Sequence, residues 1–398
     1  MTGLGRAFSG EAAIGDDASV LASNPAGIIL LDDTAVSVGL SYIRPSADAR
    51  GTATFATPFG EVEQEVSSSD VGDEVVVPSL YITHKINDDL SIGFGTFTTY
   101  GLSTDYEFEG FSGSTPLADT STLESVNANL ALAYRLNSKL TLGIGANVLY
   151  ADGRLNSTTA RGPGQGPFAG APSNVRVFNL EGDDLGYGYN IGVLYELSEG
   201  TRFGLHYRSA VDLKLEGETD FAGVPGQIAP SDSADTTLSV TLPETIELSA
   251  YHEINRCWAV HGDIVWTRWS RYNGLSPQVS DRPDLNLVLD RTLDSNYQDV
   301  FRYSIGATYK PSDRLALRTG LAYDESPINN NERDLRIPDQ DRFWLSFGAS
   351  YAISENWNLD AAYTHIFVSD ATINAADGFE GEVSGDVDIF ALGVSGTF

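Results

Sequence analysis

Residues 140–150 read Leu140-Thr141-Leu142-Gly143-Ile144-Gly145-Ala146-Asn147-Val148-Leu149-Tyr150. Leu140, Leu142, Ile144, Ala146, Val148 and Tyr150 fall on one face of an extended chain; Thr141, Gly143, Gly145 and Asn147 fall on the other. Successive strand side chains point to opposite sides, so this period of two sets an apolar face against a small or polar one. The pattern returns from Tyr189 to Leu197, with Leu194 as its exception. It returns again where Leu315, Leu317, Leu321 and Tyr323 oppose Ala316, Arg318, Gly320 and Asp324, and from Phe343 to Ile353 against Ser346, Gly348 and Ser350. Such runs exceed the roughly 5–6 residues of a soluble strand and match the roughly 9–11 that a tilted strand needs to cross a bilayer.

The connections between runs alternate in length. Short turns stand at Asn87-Asp88-Asp89, Asn137-Ser138-Lys139, Glu199-Gly200, Asn255-Arg256, Ser312-Asp313 and Ser354-Glu355-Asn356. Between them lie long Gly-, Ser-, Asp- and Pro-rich stretches near 46–75, 101–122, 156–184, 218–235, 273–296, 325–339 and 371–383. The count predicts an all-β fold, an antiparallel transmembrane barrel of about fourteen strands, with both termini on the short-turn, periplasmic side. The final strand, Phe390, Leu392, Val394 and Phe398, ends on an aromatic residue, which resembles the signal read by the outer-membrane assembly machinery. No fixed repeat supports a solenoid or propeller.

Composition fits. Gly numbers 40 and Tyr and Phe 18 each, against one Met and one Cys. The net charge of −31 excludes a nucleic-acid partner. Cys257 alone can form no internal disulfide or cysteine-based metal site, and the five histidines contain no HExxH. The longest apolar run, Ala26 to Leu31, is far short of the roughly 18–20 residues of a membrane helix. Met1-Thr2-Gly3 leads into no signal peptide, as in a cytoplasmic chain or a mature or trimmed one.

Residues 1–33 do not read as strand. Small residues mix with Arg6, Glu11, Asp16 and Asp17, and Asn24-Pro25-Ala26-Gly27 is turn chemistry. Fourteen strands enclose more space than wall side chains fill, so 1–33 is expected to be a hatch plugging a barrel formed by 34–398. Arg6, Glu11, Asn24, Pro25 and Ala26 are its expected gating residues. Buried charges need partners, and Asp339, Asp341 and Arg342 are the expected ones.

Residues 3–26, GLGRAFSGEAAIGDDASVLASNPA, resemble the hatch of the FadL family of outer-membrane long-chain fatty acid transporters, with its Asn-Pro-Ala at 24–26. Tyr207-Arg208-Ser209, Leu242-Pro243-Glu244, Arg318-Thr319-Gly320 through Ser326-Pro327, and the run from Ile337 to Trp344 extend the resemblance along the whole chain. It implies a hatched barrel in outer-membrane lipid and lipopolysaccharide, working as a monomer without cofactor or metal. It also implies lateral release of substrate at an inward kink in the third strand, which maps to Thr98, Thr99, Tyr100 and Gly101. Thr98–Gly101 also reads by itself as a place for a strand to bend and lose pairing. The family's two ligand-side cations fall here on Ser157 and Leu293, with Arg154, Arg161 and Arg291 nearby as substitutes. Phe108, Phe111 and Phe168 are apolar residues in long loops, expected to form an outer capture groove. A channel for neutral aromatic or alkane hydrocarbons is the alternative. A general porin and an outer-membrane lipase using His206 or His252 are less favoured. No GxSxG or GxxxxGK[ST] is present.

Overall fold

A computed structural model describes residues 2–57, 60–108, 117–158, 176–221, 232–272, 274, 276–279, 296–329, 332–374 and 379–398. Its wall strands are β1 (Thr34–Thr57), β2 (Val75–Asn87), β3 (Leu90–Phe97), β4 (Leu117–Asn137), β5 (Leu140–Thr158), β6 (Arg176–Ser198) and β7 (Thr201–Arg208). They continue as β8 (Thr245–Glu253), β9 (Trp258–Thr267), β10 (Val300–Ser312), β11 (Leu315–Asp324), β12 (Arg342–Ala352), β13 (Trp357–Val368) and β14 (Phe379–Thr397). Each pairs antiparallel with its neighbours, and β14 returns to β1 from Ala35–Thr397 to Ala53–Phe379, closing the ring. Closure removes the free first and last edges of the sheet, the condition for a sheet to cross a membrane. No helix of the described residues is long and apolar enough to span.

The apolar faces read from sequence point outward. Leu142, Ile144, Val148 and Tyr150 are exposed, whereas Thr141 and Asn147 on the opposite face are buried. The long stretches differ from the sequence reading: much of them is strand. β1 alone has 24 residues, about 80 Å at ~3.3 Å per residue, against a hydrocarbon core of about 30 Å. Strand segments Gly60–Ser68, Leu102–Asp105, Ser276–Val279 and Ala371–Asn374 also fall in stretches with loop composition, and Val211–Phe221 and Asp232–Leu242 run into one from either side. Backbone pairing above the membrane tolerates Gly, Ser and Asp because no lipid contact selects against them.

The N-terminal segment folds into short helical turns, Leu4–Arg6, Val20–Ser23 and Pro25–Leu30. Pro25–Leu30 packs on β4, β5 and β6, and Leu4–Arg6 on β10 to β13, so the segment reaches across the barrel interior. Wall glycines allow the approach. A Cβ at Gly143 would lie 2.2 Å from Ala26 N, and one at Gly320 would lie 2.0 Å from Arg6 O.

Candidate functional site

The inner segment is held from both sides. Asn24 Nδ2 donates to Ala12 O at 2.6 Å and to Val193 O at 3.1 Å, while its Oδ1 accepts from Ala26 N at 2.9 Å. Asn24 thus caps the Pro25–Leu30 turn, whose first φ is fixed by proline. Arg208 donates to Ala22 O at 2.5 Å, its guanidinium 5.5 Å from the Phe97 ring centre. From the far wall, His261 Nδ1 meets Ser9 Oγ at 2.7 Å, Ser249 Oγ accepts from Ala12 N at 2.9 Å, and Asp263 accepts from Glu11 N at 2.8 Å.

Charge is balanced within this region. Buried Arg6 pairs with Glu11 at 2.6 Å and Asp16 at 3.1 Å, and Asp16 also meets Arg318 at 3.2 Å. Burial pushes the Asp16 carboxyl up, but Arg318, Arg6 and Lys310 outweigh it and hold it below the ordinary carboxylate range. A carboxylate lowered in this way adds stability above its unfolded value and loses it as pH falls through the folded one. The Asp16 pairs therefore persist at neutral pH and are lost progressively as pH falls below the ordinary carboxylate range. The expected partners Asp339, Asp341 and Arg342 are not used. They sit at the long-loop end of the barrel, where Arg342 pairs with Asp339 and with Asp324 at 3.6 Å. There Asp339 accepts from Ser326 at 2.8 Å and Asp341 from Tyr323 at 2.7 Å.

Replacing Asn24 by Ala removes two buried hydrogen bonds and one half-buried one and strands their partners, at about 1–3 kcal/mol each. Amides of residues 20–31 should then exchange roughly 100-fold or more faster. Unchanged exchange would show that Pro25 and packing suffice.

Between β2 and β3 the ladder is interrupted. Its last pair toward the long loops is Leu80–Thr96. Beyond it, residues 75–79 pair with β1, and Leu102–Asp105 with β4, but not with one another. The two chains meet again where Asp105 N donates to Val71 O at 2.8 Å and Ser103 to Asp73 at 2.6 Å. Thr98, Thr99, Tyr100 and Gly101 lie in the interruption. Thr98 donates to Ser125 O at 2.9 Å, and Ser125 Oγ to Tyr100 O at 2.5 Å, which ties the kink to β4 instead of β2. Tyr100 OH reaches inward to Pro243 O at 2.8 Å.

Behind the kink lies a buried apolar cluster including Leu149, Leu155, Leu180, Leu213, Leu215, Val240 and Tyr272, with Tyr100 and Trp269 against it. Arg336 adjoins it, donating to Ser121 Oγ at 3.2 Å and Asn156 O at 3.1 Å, while Ile337 packs onto the cluster. The sequence-expected ligand groups are placed differently. Arg154 alternates onto the outer face and pairs with Glu181 at 2.9 Å. Phe108 stacks on Tyr106 at 5.2 Å and packs on Phe379, in a second apolar cluster and not in a free groove. Phe111, Arg161, Phe168 and Arg291 lie outside the described residues. His206 faces Asn190 and Glu247, and His252 bonds Thr201; neither forms the His–Ser pair a lipase would need.

Arg208, Arg318, His261 and Asp263 were legible as inward positions from strand parity. Arg336, in a long stretch without alternation, carried no such signal.

The family model described as outer membrane protein transport protein (OMPP1/FadL/TodX) matches residues 1–398. The chain is 32% identical to the long-chain fatty acid transport protein of Escherichia coli K12 over 402 residues, covering 94% of this chain and 87% of that protein. It is 32% identical over 393 residues to outer membrane protein P1 of Haemophilus influenzae, covering 92% of this chain and 83% of that one. In fold it is similar to the crystal structure of a Pseudomonas aeruginosa FadL homologue, with TM-score 0.86, 21% identity, and coverage of 100% of this chain and 97% of that one. It is also similar to the P. putida toluene transporter TodX, with TM-score 0.72, 19% identity and the same coverage. A closed fourteen-strand barrel with an interrupted third-strand seam, matched by a family model from first residue to last, belongs to the OMPP1/FadL/TodX family of outer membrane transport proteins.

Proposed function

We propose that this outer-membrane protein passively carries long-chain fatty acids or similar hydrophobic molecules inward, without catalysing a reaction and without cofactor. Loop residues on the outer side capture the molecule, the apolar cluster beside Tyr100 holds it, and the β2–β3 interruption releases it sideways. Residues 2–33 serve as the hatch, and the strands from Thr34 onward as the wall. The protein acts as a monomer surrounded by lipid and lipopolysaccharide, both termini on the periplasmic side.

The observation that carries the reading is that the interrupted seam and the buried apolar cluster share Tyr100. A backbone gap within a membrane is tolerated where it lines a cavity. Release into the bilayer is also far cheaper than release into water: at ~0.8 kcal/mol per methylene, a chain of about 15 gains roughly 12 kcal/mol by staying in an apolar phase.

A second reading, a channel for neutral aromatic or alkane hydrocarbons, is favoured by the outward placement of Arg154. Arg336 separates the two. A desolvated carboxylate needs a cation, and Arg336 is a cation beside the cluster. Arg336→Ala should weaken binding of a long-chain fatty acid by roughly tenfold or more, the scale of a lost charged hydrogen bond, with alkylbenzene binding retained. Equal fatty acid binding by variant and parent would favour the neutral-hydrocarbon reading.

A further inference from the structure

The wall contains a two-stranded panel bonded fully within itself but incompletely to its neighbours. β7 is followed by Val211–Phe221, and β8 is preceded by Asp232–Leu242; these extensions pair with each other from Val211–Leu242 to Phe221–Asp232. Toward β6 the ladder stops at Asn190–Arg208 and resumes at Asp183–Glu216. Residues 184–189 thus face residues 209–215, a mismatch of one that a regular register cannot absorb. One backbone bond remains there, from Ser209 N to Tyr189 O at 2.9 Å, and two side chains act as acceptors beside it: Tyr189 N donates to Ser209 Oγ at 2.9 Å, and Lys214 N to Asp184 Oδ2 at 2.7 Å. Toward β9 the last pair is Ser239–Ser276, and among the described residues 240–242 have no ladder partner on that side. The chain after β9 turns inward instead, bringing Trp269 and Tyr272 to the apolar cluster.

The base of the panel is pinned. Pro243 lacks an N–H and breaks β8 from its extension. Its carbonyl accepts from Tyr100, and Glu244 is held by Arg268 at 2.9 Å and Arg271 at 3.4 Å. The panel's inner face, including Val211, Leu213, Val240 and Leu242, belongs to the apolar cluster. On the β6 side it is sealed by side chains on bare backbone: a Cβ at Gly186 would lie 2.3 Å from Val211 Cγ1 and 2.9 Å from Leu213 Cδ2. Asp184, Asp212, Lys214 and Thr241 line a groove of about 450 Å³ at the panel, which inner-face Leu213 and Val240 also border. The exterior of β6 changes here from exposed Tyr189, Tyr187 and Leu185 to Asp183, which sets the groove at the boundary between acyl chains and headgroups.

We propose that this panel is a second lateral gate, an inlet through which a long-chain fatty acid dissolved in the outer leaflet passes from the groove into the apolar cluster. The proposal rests on the transport reading above. An amphiphile in that leaflet carries its carboxylate at the headgroup boundary and its tail beside the seam. Displacing Val211 and Leu213 from Gly186 exposes the cluster without breaking a continuous ladder.

The test locks the seam. In a Cys257→Ser background, because Cys257 is exposed, Gly186→Cys with Val211→Cys places two thiols at the seal. Fatty acid uptake by the oxidised protein should fall at least about fivefold relative to the same protein after reduction, a difference of about 1 kcal/mol in the barrier. Equal uptake in both states, with parent uptake normal, overturns the gate alone. A parent protein that carries no fatty acid overturns the transport reading, and the gate with it. A second measurement needs no substrate: amides of residues 211–215 should exchange roughly tenfold or more faster than those of residues 201–208 in the same extended run. Equal protection shows a rigid panel and overturns the proposal.

Discussion

Gly101→Glu should cut uptake of a long-chain fatty acid roughly tenfold or more, since an ionised carboxylate in an apolar path costs several kcal/mol and each 1.4 kcal/mol is a factor of ten. The fold should survive the change. A Cβ at Gly101 would have only Leu123 O within 4 Å, at 3.8 Å, so the new side chain has room. The kink is held by the Thr98–Ser125 and Ser125–Tyr100 bonds, neither of which uses Gly101. Gly101→Ala is the companion variant and should transport normally. Uptake is read in a transporter-deficient host, with surface amount and resistance to cold detergent confirming an intact barrel. Wild-type uptake by Gly101→Glu would mean that substrate leaves by another route.

The other large effect concerns the N-terminal segment inside the barrel. Gly143→Leu together with Gly320→Leu places side chains where Ala26 N and Arg6 O now stand, 2.2 and 2.0 Å from the respective Cβ positions. Backbone cannot give way as a flexible side chain can, so the inner segment must leave its seat at both ends. Fourteen strands enclose a lumen that wall side chains cannot fill. The double variant should therefore conduct ions in planar bilayers roughly tenfold or more above the parent, as an open polar lumen does. It should also sensitise cells to large hydrophilic antibiotics. A variant as tight as the parent would mean that the wall and its inward excursions close the lumen unaided.

Much of the architecture was readable because a membrane barrel obeys one simple rule over many residues. Thr141, Gly143 and Asn147 had to face inward once Leu142, Ile144 and Val148 faced lipid, and the same parity placed Arg318 inside. The position of the strand interruption followed from Thr98 to Gly101 and the family resemblance together. Loop-like composition misled where the sheet outgrows the membrane, because Pro45 to Thr57 need only pair and has no lipid to satisfy. Arg154 misled for the opposite reason: proximity in sequence to an expected cation position was weighed above parity, and parity points it outward. The charges of the N-terminal segment were paired with the wrong run because nothing in the sequence tells which height of the barrel that segment reaches. That depends on where close approach is sterically open, a three-dimensional matter decided by Gly143 and Gly320.

The long seam between β1 and β14 has a consequence for how the molecule is made. Ala35 bonds beside Thr397, so the ring cannot close until the last residues of the chain exist. Contacts so distant in sequence pay their loop-closure entropy before any return, which makes folding slow. The N-terminal segment is caught in the same delay. It is synthesised before the wall, yet Ser9 needs His261 on β9 and Arg6 lies against Gly320 on β11. Late wall strands must therefore be present before the earliest residues find their seats. Once the seam zips shut, the N-terminal segment is enclosed by a hoop of hydrogen-bonded strands. A chain truncated within β14 should lose both closure and the seat of the N-terminal segment together, and accumulate as an assembly intermediate instead of a leaky pore.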